Sequence, residues 1–342
     1  MTTTGNPRRM PAEWEPQGAV LLAFPPTDSD WEPYLEEARS AVAAIIAAIL
    51  PRCRVVLLAR SADAVAARVA CPGASVAELE LDDTWVRDFG PITVLDQGRP
   101  RLLDFGFNGW GLKFPASADN QATARLQAAG HLGRAERVVP GLWLEGGSIE
   151  SDGAGAILTT ASCLLSPNRN PHLDRAGVEA ALATHLGATR VLWLDHGHLA
   201  GDDTDAHIDT LARFAPHNTI VYVRCDDPDD EHYPALTAME AELCALRTAA
   251  GQPYRLVPLP WAQPAYAADG HRLPATYANY LIINGAVLVP TYADPTRDQA
   301  ALAAVACAYP GLTITGIDCR VLIEQHGSLH CMTMQVPAEV YP

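Results

Sequence analysis

Helical stretches recur along this chain roughly every sixty residues, with two or three short strand-like runs between them. The 33–50 segment sets the pattern. Apolar side chains at Leu35, Ala38, Val42, Ile45, Ile46 and Ile49 have helical spacing, acidic residues occupy the first turn, and Pro51 closes it. Further helices are predicted at 61–70, 119–129, 174–186, 234–250 and 296–308. Strands are predicted at 54–59, near 76–81, and at 91–95, 155–160, 190–194, 219–224, 279–283, 287–290, 312–316 and 319–323. This is not strict βαβα alternation, and no GxGxxG or GxxxxGK[ST] loop follows any strand, so a nucleotide-binding Rossmann or P-loop fold is disfavoured. The spacing allows a ββαβ-type module in about five copies, although the copies share no visible sequence similarity. No linker or low-complexity tract divides the chain, and 261–276 reads as one long loop.

Composition narrows the partners. With 342 residues, 49% of them hydrophobic, the chain can bury a sizeable core. No apolar run approaches the ~18 residues of a membrane span. No apolar stretch follows Arg8 and Arg9, so no export signal is expected and a cytoplasmic location is the default. Forty acidic against twenty-four basic residues give a net charge of −16, which repels nucleic acid and anionic membrane and attracts cations. The eight cysteines, at 53, 71, 163, 225, 244, 307, 319 and 331, are dispersed without a C-x-x-C pair and read as free thiols, most of them buried and inert.

Four clusters carry chemistry. LDDTWVRDFGP at 81–91 gathers Asp82, Asp83, Arg87 and Asp88 around Trp85, ahead of a strand. In LWLEGGSIE at 142–150, Glu145 precedes two glycines that let backbone approach closely. In HGHLAGDDTDAHIDTLARF at 196–214, His207 and Asp209 lie two apart, so on a strand they share one face, an acid/base and cation-binding pair. In EQHGSLHCMTMQ at 324–335, Cys331 follows His330, and the segment then alternates like a strand. Each cluster alone also reads as an ordinary turn or a buried side chain. Together they suit a planar guanidinium: carboxylates accept its paired N–H bonds, a thiolate attacks its central carbon, and a histidine moves protons.

At these residues the sequence resembles the agmatine deiminase family, related to the Porphyromonas-type peptidylarginine deiminases. The likeness begins at RMPAEWEPQGAVLLAFP (9–25). It runs on through WVRDFGP (85–91), LEGGS (144–148), LLSPNRNP (164–171), GDDTDAHIDTLARF (201–214) and SLHCMTMQ (328–335). The resemblance implies an α/β pentein fold, five ββαβ-type modules in a pseudo-fivefold propeller, as a single catalytic domain over 1–342. It also implies hydrolysis of agmatine to N-carbamoylputrescine and ammonia, a step of polyamine synthesis, with no metal or organic cofactor. By the same resemblance Cys331 is the nucleophile, His207 the general acid/base and Glu145 the acid beside it. Asp88 and Asp209 clamp the guanidinium, Trp85 lines the alkyl chain, Asp203 lies near the far amine, and Gly327 completes the pocket.

Many family members carry a GGGNIHC-like run before the nucleophile, and here QHGSLHC (325–331) replaces it. Gln325, His326 and Ser328 therefore leave arginine, peptidyl-arginine or another small guanidine open as the preferred substrate. A metal-dependent C–N hydrolase, using His196-x-His198 and His207-x-Asp209, is the rival from another class, and it leaves Cys331, Asp88 and Glu145 idle. The expected partner is a small cationic guanidine, with no nucleic acid and no membrane; the sequence leaves a homo-oligomer open.

Overall fold

The computed structural model describes residues 8–341, and residues 1–7, part of the stretch read as lacking an export signal, lie outside them. Four sheets of three strands and one of four follow a shared plan. In the first, Ile92–Asp96 pairs antiparallel with Arg99–Leu103, which pairs parallel with Glu136–Val138. The same order recurs in Ile149–Ser151, Ala156–Thr160 and Arg190–Leu194, and again in Ala212–Ala215, Thr219–Val223 and Arg255–Leu259. It recurs once more in Leu281–Ile283, Ala286–Thr291 and Thr313–Asp318. A parallel neighbour cannot be reached by a tight turn, so each second strand leads into a helical crossover. Arg175–Leu186, Tyr233–Ala245 and Pro295–Ala308 are the longer ones.

The fifth unit joins the two ends of the chain. Thr333–Pro337 supplies its first strand, antiparallel to Gln17–Ala23, with Leu21 opposite Met334. Gln17–Ala23 then pairs parallel with Arg54–Ala59 across the helix Leu35–Ile49, and Ser75–Glu78 adds a fourth strand. These inner strands are apolar on both faces, as strands covered on both sides must be: Ala19, Val20, Leu21, Leu22 and Ala23 are fully buried. The helix stripe read from the sequence is the buried one, with Ala38, Val42, Ile45, Ile46 and Ile49 inward. Five ββαβ units make this the expected pentein fold.

Two local expectations are corrected. Residues 319–323 are not a strand: Arg320–Ile323 is a helical turn, started where Asp318 Oδ1 accepts the Arg320 amide at 3.1 Å. His207 and Asp209 are not on a strand either. His207 is extended, Asp209 sits in the 3₁₀ turn Ile208–Thr210, and the strand begins only at Ala212. The turn is held by Thr210, whose Oγ1 and N–H both donate to the His207 carbonyl. Short first strands such as Ile149–Ser151 and Ala212–Ala215 went unread, because three or four residues carry too little periodicity. The 261–276 loop contains one small hairpin, Ala265–Tyr266 with Arg272–Leu273.

Because the last strand opens the unit to which the first belongs, a chain ending at Met332 loses that unit's antiparallel edge. We expect it to show no cooperative thermal unfolding by circular dichroism; a sharp transition near that of the full chain would contradict this closure.

Candidate active site

The segments that enter the first strand of each unit converge. Asp88 lies in the short helix Val86–Phe89 before Ile92–Asp96, Glu145 just before Ile149–Ser151, and His207 and Asp209 before Ala212–Ala215. Asn279 precedes Leu281–Ile283, and Cys331 precedes Thr333–Pro337. All six side chains are buried.

Cys331 Sγ receives a hydrogen bond from Asn279 Nδ2 at 3.2 Å and stands 3.8 Å from Asp209 Oδ2. Asn279 Oδ1 accepts the amides of both His330 and Cys331, at 2.9 and 3.2 Å, so one side chain fixes backbone and sulfur together. Asp88 Oδ1 accepts the Gly147 amide at 2.9 Å and lies 3.6 Å from His207 Nδ1; its Oδ2 accepts Trp110 Nε1 at 2.8 Å. Asp209 Oδ2 is held by His330 Nδ1 at 2.7 Å. Three buried atoms here, both ring nitrogens of His207 and Asp209 Oδ1, have no hydrogen-bond partner among the described residues. Buried polar atoms are almost always paired, so this concentration marks a place for donors and acceptors from elsewhere.

Charge shapes the titration. Burial pushes the Cys331 thiol well above its ordinary value, and Asp209 and Asp88 push it further. For His207, burial acts downward, but Asp88, then Cys163 and Glu145, raise its pKa to about 10. Cys163 contributes only as a thiolate, a form its own burial opposes, so the carboxylates are the operative partners. The two aspartates diverge. Burial raises Asp88, against the pull of His207. Asp209 is lowered, because the His330 hydrogen bond and charge, with His207 and Arg213, outweigh burial. At neutral pH the resting site thus pairs a neutral thiol with an imidazolium.

Glu145 does not touch a ligand space. Both of its oxygens accept from Arg169 Nε, at 2.8 and 2.9 Å, and Arg169 also donates to Asp205 Oδ2 at 2.6 Å and to the Thr204 carbonyl. The glycines after Glu145 are required by protein, not by a ligand. A Cβ on Gly147 would stand 2.7 Å from His207 Nδ1 and 2.8 Å from Asp88 Oδ1.

From Cys331 a pocket opens outward past Trp85, Trp110 and Phe114 to a rim of Asp30, Asp83, Asp202, Asp203 and His326. Trp85 lies flat on Gly327, where a Cβ would meet its ring at 2.3 Å. Trp110 is held in a left-handed turn, with φ of +67° at Gly109, +54° at Trp110 and +83° at Gly111; two glycines make that turn feasible. Of the residues that depart from the family pattern, Gln325 and His326 sit at the rim, while Ser328 is buried with its Oγ 3.0 Å from Tyr292 Oη. Gln325 Nε2 donates to the Asp30 carbonyl at 2.8 Å, while His326 donates to the Gly201 carbonyl and stacks on His271. Asp83, half-buried and close to Asp30, is pushed up to about 6 by desolvation despite the Thr84 amide. Asp203 is half-exposed, its carbonyl taking Lys113 Nζ at 2.6 Å. Asp202 is used locally, its Oδ2 accepting the Ala206 amide at 2.7 Å.

All eight residues singled out in the sequence thus lie at or beside one site: Cys331, His207, Asp88, Asp209, Glu145, Trp85, Asp203 and Gly327. Asn279, Trp110, Cys163, Arg169, Arg213 and Glu13 were not singled out. Arg169 lies inside the LLSPNRNP run and Glu13 inside RMPAEWEP, so position within a motif was an available signal. Asn279, one amide within an apolar TYANYLII run, offers none.

Two sets of ligand-type atoms lie within 4.8 Å of one another: Glu145, Cys163 and His207, and Glu13, Glu150 and His330. In both, an arginine already fills the carboxylates, Arg169 on Glu145 and Arg213 on Glu13 and Glu150. A dication beside a buried guanidinium is unfavourable, so neither set fits a metal well. His196 and His198 join neither; His196 pairs with Glu242.

The chain matches the model of the Porphyromonas-type peptidyl-arginine deiminase family over residues 9–337. The agmatine deiminase of Pseudomonas fluorescens strain SBW25 is 34% identical over 356 residues, 96% of this chain and 95% of that one. A C. jejuni agmatine deiminase with a cysteine-to-serine change, solved with substrate bound, superposes with a TM-score of 0.91 at 36% identity over 98% of each chain. A Porphyromonas gingivalis protein provisionally named an arginine deiminase gives a TM-score of 0.91 at 50% identity, over 97% of this chain and 99% of its own.

Gly147→Ala places a methyl group among His207, Asp88 and Asp209 without touching the core. We expect it to lower kcat/KM for the substrate by about a hundredfold or more while the melting temperature stays within a few degrees. Activity near wild type would show that these three side chains tolerate displacement.

Proposed function

The chain belongs to the Porphyromonas-type peptidyl-arginine deiminase family, and from that premise we propose that it deiminates agmatine, giving N-carbamoylputrescine and ammonia through a covalent intermediate on Cys331. Its relatives make it a hydrolase of C–N bonds. The observation that carries the choice of substrate is the pocket lining. Asp30, Asp83, Asp202 and Asp203 rim it, and no arginine or lysine is among the residues that line it. The nearby Lys113 is engaged by Asp205 Oδ1 at 2.7 Å and by the Asp203 carbonyl. Free arginine would set its α-carboxylate against this rim with no cation to receive it. Agmatine sets its ammonium, a second positive charge, there, where opposite charge favours it.

In this reading Asp88 and Asp209 hold the guanidinium over Cys331, Asp209 through the unpaired Oδ1, and Trp85 lines the alkyl chain. The bound cation offsets the two carboxylates that oppose thiolate formation, so the sulfur ionises as substrate binds. The thiolate forms an S–C bond to the guanidinium carbon. His207, an imidazolium at rest, gives its proton to one nitrogen, and the C–N bond breaks to release ammonia. The thiouronium that remains is attacked by water, which yields a proton to the now neutral His207. The C–S bond then breaks, the new hydroxyl releases its remaining proton to solvent as its oxygen becomes the ureido carbonyl, and the thiolate is restored. Glu145, held by Arg169, stays beside His207 through both halves of the cycle.

A comparison of kcat/KM for agmatine, arginine and a C-terminal peptidyl-arginine tests the substrate. Agmatine should lead by about tenfold or more; an arginine value equal to or above it would sink the argument from the acidic rim.

The resting thiol gives a second test. Since the pKa of Cys331 lies above its ordinary 9.0, the thiolate fraction, and with it the rate of inactivation by iodoacetamide, should still be rising with pH at about pH 9. Loss of activity is the readout, because the exposed Cys244 and Cys307 also alkylate. A plateau already reached near pH 7 would mean that the thiolate exists before substrate arrives.

A further inference from the structure

Glu13 belongs to the stretch where the family resemblance begins, yet the chemistry above gives it no task. Its carboxylate is buried behind the site. Oε1 accepts the Ile282 amide at 2.7 Å, and Oε2 accepts from Arg213 Nη2 at 2.8 Å and His330 Nε2 at 2.7 Å. The other ring nitrogen of His330 donates to Asp209 Oδ2, also at 2.7 Å. The imidazole therefore bridges two carboxylates, one at each nitrogen, and Arg213 Nη2 also lies 3.0 Å from Nε2. Beyond the bridge, Asp209 Oδ1 is buried without a partner.

We propose that Glu13 is a positioning residue for the substrate cation: acting through His330, it fixes the rotation of the Asp209 carboxylate so that Oδ1 is presented to the guanidinium. The proposal rests on the deiminase reading. Hydrogen bonds to an ionised carboxylate are shorter and about twice as strong as neutral ones, so a ring anchored at both nitrogens sets its partner's angle more firmly than one held on one side. Glu13 is not needed merely to neutralise Arg213. That guanidinium also donates to Glu150 and, at 2.6 Å, to the Tyr280 carbonyl. Nor can Asn279 replace His330, since it gives its amide nitrogen to the Cys331 sulfur and the Asp209 main chain, and the Cys331 thiol approaches Asp209 Oδ2 only to 3.8 Å, against 2.7 Å for His330.

Glu13→Gln and His330→Gln, each made in the full-length protein, test the relay. Agmatine kcat and KM are measured for both, together with calorimetric agmatine binding in a Cys331→Ser background and thermal melting. His330→Gln keeps the Glu13–Arg213 pair, so a loss there does not come from a stranded buried arginine. KM and Kd should rise by about tenfold or more in both variants while kcat falls less than about threefold. Glu15→Gln, which changes the half-buried carboxylate paired with Arg9, should leave all three constants unchanged. Wild-type KM and Kd in Glu13→Gln overturn the proposal, and if that variant does not fold, wild-type values in His330→Gln do the same. A large loss of kcat at unchanged Kd overturns it as well. If these variants bind normally and wild type turns over agmatine, only the relay falls; a wild type that turns over no guanidine removes the parent reading and the relay together.

Discussion

The antiparallel pairing of Thr333–Pro337 with Gln17–Ala23 is the constraint on which the rest of the molecule depends. It joins residues more than three hundred positions apart in the chain, so its loop-closure cost is met only when the intervening four units are in place. It also sets what stands at the centre. Cys331 lies two residues before one of the paired strands and Glu13 four before the other, so the same register that closes the fold brings Glu13 against His330. Cys331 and the terminal motif are placed by one strand pair.

Around that closure the site is built from buried charge. Glu13, Glu150 and Asp209 face Arg213 and His330, and Glu145 faces Arg169. Removing a partner from such a pair typically costs 3–5 kcal/mol, because a buried charge is left uncompensated. The two aspartates near the sulfur differ. Asp209 has a lowered pKa, held by the His330 hydrogen bond and by the charges of His207 and Arg213, while Asp88 is raised by burial against the pull of His207. Under the proposed function Asp88 therefore has more to gain from a bound cation.

Close packing does the positioning that hydrogen bonds leave undone. Gly147 brings backbone within contact of His207, Asp88 and Asp209 at once, and Gly327 gives Trp85 a flat seat on the pocket wall. Strain accompanies this: Trp110, and then Asp205 and Ala206 directly before His207, have φ of +54°, +67° and +67°. Non-glycine residues in that region cost of order 1–3 kcal/mol each and persist where surrounding contacts hold them. Here Asp202 Oδ2 on the Ala206 amide, and Trp110 on Asp88, are those contacts.

How much of this was legible beforehand follows from the range over which each signal acts. Helix stripes such as Ala38–Ile49 and strands such as Arg54–Ala59 and Thr219–Val223 depend on local periodicity and were read within a few residues, whereas the inner strands Gln17–Ala23 and Arg99–Leu103 were not. Cys331, His207, Asp88, Asp209 and Glu145 were legible because six motifs in one order carried a family resemblance; no neighbourhood singled them out by itself. Strands of three or four residues were missed, and His207 and Asp209 were put on a strand, because a turn with one apolar residue between two polar ones has the same alternation. What only the tertiary structure decided is which charges meet. Glu13, Arg213 and Asn279 lie hundreds or scores of residues from Cys331 and have no sequence periodicity. Their pairing depends on strand register and burial, which exist only once the ends of the chain have closed on each other.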